Sequence, residues 1–114
     1  MEIASRERAE PFTTLDGSTI RELLAARNQS LAEATLGPGQ ATQRHYHAET
    51  EEIYIVLEGA GDMEVDEERS RVEPGDAILI PPGAWHQLRA GEAGELRILC
   101  CCAPPYRDED TFFE

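Results

Sequence analysis

The segment from Gly39 to Gly59 reads GQATQRHYHAETEEIYIVLEG and holds two of the chain's three histidines. His45 and His47 are two positions apart, so in a strand their imidazoles lie on one face, one pleat apart, within reach of a single metal ion. The run after them, Glu52 to Leu57, is strongly apolar and ends at Gly59. If His45 and His47 close one strand and Glu52 opens the next, the Glu52 carboxylate returns to the same point. Equally, Glu52 is one more surface carboxylate in an acidic chain. Alternation assigns the faces. Ala41 and Gln43 share the inward side with His45 and His47, while Arg44 and Tyr46 point out. With Glu52 inward, Tyr54 and Val56 join it, and Ile53, Ile55 and Leu57 then form an outward apolar stripe.

A second stretch, GDAILIPPGAWHQLRA from Gly75 to Ala90, supplies the third histidine. Pro81-Pro82-Gly83 dictates a tight turn that aims His86 inward. Leu88 and Ala90 then face in, and Gln87 and Arg89 face out. Three imidazoles and a carboxylate suit Fe(II), Mn(II), Ni(II), Cu(II) or Zn(II), and the donor set does not choose among them. A His-x-His pair by itself is ambiguous, because single histidines are as often structural as ligating.

The two stretches together resemble the motifs of the cupin superfamily, in its small single-domain microbial form. The first is Gly39, five residues, His45-x-His47, four residues, Glu52, six residues, Gly59. The second is Gly75, five residues, Pro81-x-Gly83, two residues, His86. The final asparagine of the second motif is replaced by Ala90, outside the ligand positions. The resemblance implies an all-β, antiparallel jelly-roll barrel spanning residues 1–114 as one domain, with motifs at about 39–59 and 75–90. It implies one divalent transition metal on His45, His47, Glu52 and His86. Glu52 is preferred to Glu51, which would point away with Ile53, and to Glu49 in the intervening loop. The pocket is then formed by Gln43, Tyr54, Val56 and Leu88, with Tyr54 the candidate catalytic side chain. Expected activities are those of dioxygenases, decarboxylases or sugar isomerases and epimerases acting on a small molecule. The alternative is a non-catalytic small-molecule or metal-sensing module. A homodimer through the face carrying Ile53, Ile55 and Leu57 is also implied.

The rest of the chain fits one such domain. It has 114 residues, 40% hydrophobic and 29% charged, which is ordinary globular usage. Short apolar runs between Gly and Pro signals read as many short strands. The segment STIRELLAAR (Ser18 to Arg27) favours helix by propensity, but the barrel requires a strand there, and strand is expected. Net charge is −13, which argues against nucleic acid and anionic membranes as partners. All ten basic residues are Arg, so no lysine Schiff base is available. No apolar run approaches the ~18 residues of a membrane span, and the first residues have no apolar signal core, so a cytoplasmic location is expected. Cys100, Cys101 and Cys102 read as small hydrophobes of a buried strand, with Leu96, Ile98, Cys100 and Cys102 on one face, the alternative being a thiolate ligand or redox role. The acidic tail PPYRDEDTFFE is expected to be solvated, with Phe112 and Phe113 docking on this domain or on a second subunit.

Overall fold

A computed structural model describes residues 1–114. Eleven strands follow in order: Phe12–Thr13 (β1), Thr19–Ala25 (β2), Ser30–Leu36 (β3), His45–His47 (β4), Glu51–Glu58 (β5), Gly61–Val65 (β6), Glu68–Val72 (β7), Ala77–Ile80 (β8), His86–Ala90 (β9), Leu96–Ala103 (β10) and Thr111–Phe113 (β11). The only helical pieces are two three-residue 3-10 turns, at Arg6–Arg8 and Asp108–Asp110. All pairing is antiparallel. One sheet runs β1-β2-β3-β10-β5-β8 and the other β11-β4-β9-β6-β7. The two face each other as a jelly-roll barrel. No helix is long and apolar enough to cross a membrane.

The period-two pattern of the sequence drives this layering. In β5, Glu52, Tyr54 and Val56 are buried while Glu51, Ile53, Ile55 and Leu57 are exposed. The same alternation buries Leu88 on β9 and Leu96 and Ile98 on β10. With Leu36, Met63 and Ile80 they make one core, each large aliphatic contributing ~1.5–3 kcal/mol on burial. Gly59 turns the chain from β5 in one sheet to β6 in the other at φ +81°, and a Cβ there would strike the Glu95 carbonyl oxygen, so both conformation and space require glycine.

The segment STIRELL is a strand, as the barrel demands. Pairing with β3 outweighs helix propensity, and the strand accommodates its misfit by a register shift between Glu22 and Leu24. The N-terminal segment lies over the outer face of β2, β3 and β10. Arg6 and Arg97 both pair with the buried Glu33, at 2.7 and 3.1 Å. Arg21 ties the segment down by donating to the carbonyls of Arg6 and Ala9. The outward stripe on β5 stays exposed: Ile53, Ile55 and Leu57 are 41, 40 and 37% accessible, and Leu79 on neighbouring β8 is 56%.

The tail departs from expectation. It docks on its own chain as β11, pairing with β4 residue for residue from Thr111 opposite His47 to Phe113 opposite His45. Phe112 stacks on Tyr46, at 5.1 Å between ring centroids. Asp110 is buried, not solvated. Its carboxylate accepts from the backbone N–H groups of Ala48, Glu49 and Thr50, which form the loop between β4 and β5.

Candidate metal centre

β4 presents His45 and His47 on its inner face. β9 begins with His86 directly opposite His45, and the two rings are 4.2 Å apart at their centroids. Glu52 reaches in from β5 in the other sheet. All four side chains are buried, and one donor atom from each lies within 4.8 Å of all the others. Glu52 Oε1 is 3.0 Å from His47 Nε2 and 3.3 Å from His86 Nε2.

The other edge of each imidazole is fixed. Nδ1 of His45 donates to the Gln43 carbonyl at 2.7 Å, that of His47 to the Asp110 carbonyl at 3.1 Å, and that of His86 to the Ala84 carbonyl at 3.0 Å. A carbonyl only accepts, so in each neutral ring the proton sits on Nδ1 and the Nε2 lone pair points inward. Thr111 Oγ1 adds a contact to His47 Nδ1 at 3.2 Å. On Glu52, Oε2 accepts from the Cys102 thiol at 3.3 Å, which leaves Oε1 facing the imidazoles.

Charges follow from this packing. Burial opposes the Glu52 charge, but His47 and His86 outweigh it and hold the carboxyl well below the usual range. Burial likewise works against His47 charging, but Glu52 prevails and its pKa is raised. His45 is lowered by burial and by the neighbouring His86. Burial pushes the Tyr54 hydroxyl well up, so it is a neutral donor at ordinary pH.

A divalent cation fits these residues. Glu52 Oε1 and His86 Nε2 are fully buried and neither has a hydrogen-bond partner of acceptable alignment. Each such orphan costs ~1–3 kcal/mol, and a metal ion coordinated by both relieves that cost. Three neutral nitrogens with one carboxylate are a donor set for borderline transition metals.

A cavity of about 300 Å³ adjoins the cluster, with Tyr54, Leu88 and Cys100 on its walls. Two expected pocket residues are placed differently. Gln43 is exposed, and Thr42 lines the cavity instead, bonded to β9 through its Oγ1 and backbone N–H. Strand β4 begins only at His45, so alternation does not extend back to residue 43. Val56 is buried in the core but does not line the cavity. Glu51 is exposed, and Glu49 pairs at the surface with Arg107. Three residues were not anticipated. Cys102 contacts Glu52, Asp110 clamps the loop that carries His47 toward Glu52, and Asp16 stands at the cavity. Asp16 Oδ2 is 4.0 Å from His45 Nε2, while its Oδ1 accepts from the Ser18 N–H and hydroxyl at 2.9 and 2.6 Å. The triplet Asp16-Gly17-Ser18 carries a turn signal that marks such a position, although not its target.

Comparison with known proteins shows the family and the fold. A family model described as Cupin domain matches residues 32–102. An uncharacterized protein of Methanocaldococcus jannaschii is 46% identical over 110 residues, covering 92% of this chain and 88% of its own. The 1-methylthio-D-xylulose 5-phosphate methylsulfurylase of Rhodospirillum rubrum is 34% identical over 82% of this chain, which spans 59% of that enzyme. The structure of KdgF from Halomonas sp. superposes with a TM-score of 0.85 at 20% identity, covering 96% of this chain and 97% of its own.

Proposed function

We propose a function from one premise: this chain belongs to the cupin family, whose model covers residues 32–102. The chain is a metal-dependent enzyme that acts on a small organic molecule. His45, His47, Glu52 and His86 hold the ion, Tyr54 offers a neutral hydroxyl, and the adjoining cavity takes the substrate. The observation that carries this reading is the set of three imidazoles whose Nδ1 protons are all committed to backbone carbonyls, leaving three buried Nε2 lone pairs around one carboxylate oxygen. That is how ligating histidines are oriented in metal sites. A transition metal held there would supply Lewis acidity or one-electron chemistry to a bound substrate. Four protein donors leave open positions on a six-coordinate ion, which suits dioxygenase, decarboxylase or isomerase chemistry. The similarity to a methylsulfurylase supports catalysis over passive binding.

The exposed stripe of Ile53, Ile55, Leu57 and Leu79 supports a homodimer through the outer face of β5 and β8. The primary test is metal content and affinity. Wild-type protein should carry about one equivalent of a divalent transition metal, His47→Ala should lose it, and Glu51→Ala should keep it. Full retention by His47→Ala, or loss by Glu51→Ala, overturns the assignment.

A further inference from the structure

The charged side chains bordering the cavity, apart from the histidines, are Asp16, Glu22 and Glu52. No arginine borders it, and the chain has no lysine. Metal ions aside, phosphate and polycarboxylate sites are built from guanidinium forks, ammonium groups or helix N-termini, and this cavity has none of these. Resting on the metal reading above, a dication bound beside Glu52 carries one net positive charge, and Asp16 with the solvent-exposed Glu22 brings the cavity and its border to about one net negative charge. Most of the remaining wall is apolar, with Ile20, Ala34, Leu36, Leu88 and Ile98, and hydroxyls such as those of Thr14, Thr42 and Thr111 interrupt it.

Asp16 is placed to read a ligand. Ser18, itself 1% exposed, occupies Oδ1 with two hydrogen bonds. Oδ2 is turned toward His45 Nε2 at 4.0 Å, yet Asp16 is outside the group of four mutually close donors. A ligand atom coordinated beside His45 would therefore have an acceptor within reach of its neighbour. The buried, unpartnered Glu52 Oε1 and His86 Nε2 mark where that coordination occurs. We propose that the cavity selects uncharged molecules with an apolar body and a hydroxyl or amino donor next to the metal-binding atom. Asp16 is the acceptor that recognises this donor, and phosphorylated compounds are excluded. A fixed carboxylate discriminates in both directions, since it rewards a donor and repels an anion.

The test uses zinc-loaded protein and two ring-sized probes, catechol and phenyl phosphate, titrated by calorimetry at neutral pH. Catechol should bind at least about tenfold more tightly than phenyl phosphate, because a dianion meets like charge in a low-dielectric cavity. Asp16→Asn should weaken catechol and strengthen phenyl phosphate, each by several-fold, a crossover that a general structural defect does not produce. The proposal is overturned if the unaltered protein binds phenyl phosphate as tightly as catechol or binds neither. It is also overturned if Asp16→Asn shifts both affinities in the same direction or leaves both unchanged. Should Asp16→Asn fail to fold, the ranking in the unaltered protein decides. Zinc uptake is measured first. Failure to take up zinc refutes the metal reading alone, and the same ranking in metal-free protein then decides the charge selectivity.

Discussion

Replacing Asp110 with Ala removes an acceptor shared by three backbone donors. The carboxylate receives the N–H groups of Ala48 at 3.0 Å, Glu49 at 3.1 Å and Thr50 at 3.0 Å. Ala48 and Glu49 are exposed, so water can replace the lost partner there, but Thr50 is 2% exposed and its donor stays unpaired. A hydrogen bond to a charged group contributes ~1.5–3 kcal/mol. Losing one bond in full and two in part gives about 3 kcal/mol. With ~2.1 cal/mol/K of unfolding entropy per residue over 114 residues, that lowers Tm by about 12 °C. Thermal unfolding of metal-free protein, followed by circular dichroism at pH 7, measures it directly. The pH dependence adds a second readout. Burial would raise the Asp110 pKa, but the N–H donors of Thr50, Glu49 and Ala48 outweigh it and lower it. A depressed carboxyl stabilises the fold above its unfolded value of ~3.9 and loses that contribution as pH falls toward the folded value. Asp110→Asn should therefore lose part of the stability at pH 7 and flatten the acid limb of the curve. A Tm change below about 2 °C in Asp110→Ala would refute the idea that this side chain clamps the loop.

Cys102→Ala leaves Glu52 Oε2 without its donor and should weaken metal binding by about tenfold, as disruption of groups that support metal ligands does; competition with a chelating dye reads this without any activity assay. Metal binding should weaken as pH falls through the raised pKa of His47, above the ordinary ~6.5 for histidine, because the ion must displace that proton. Affinity that is flat between pH 6 and 8 would contradict the raised value. Leu79→Arg, at the most exposed point of the apolar stripe, should give monomers in sedimentation at micromolar concentration while leaving metal content unchanged; an unaltered sedimentation coefficient would move the interface elsewhere.

Much of this site was legible because its spacing is local. His45 and His47 sit two apart on one strand, and the Pro81–Gly83 turn precedes His86 by a few residues, so pleat and turn geometry suffice. The choice of Glu52 over Glu51 rests on its six-residue spacing to Gly59 and on the strand face it shares with Tyr54 and Val56. The same rule failed at Gln43, because alternation holds only inside the strand, and β4 is three residues long. Asp110, Thr111 and Cys102 were beyond local reading. Each meets its partner across 50 or more residues of chain, at 62 for Asp110 with Ala48 and 50 for Cys102 with Glu52. Composition even misled at the tail, where an acidic run suggests solvent while one of its carboxylates is buried against main-chain amides.

The three carbonyls that hold the imidazoles belong to residues 43, 84 and 110, and all are main-chain atoms. No side-chain replacement deletes a carbonyl. The tautomers of the histidines are therefore inherited from the path of the backbone, and substitutions at the exposed Gln43 should be nearly silent in a mutational scan of metal retention, as should changes to small residues at Ala84, which is buried in the core. One-residue insertions or deletions beside them should not be, since they move the acceptor itself. Tolerance at this centre is thus governed by chain length between landmarks more than by residue identity, which lets the sequence around the ligands diverge widely while the ring orientations persist.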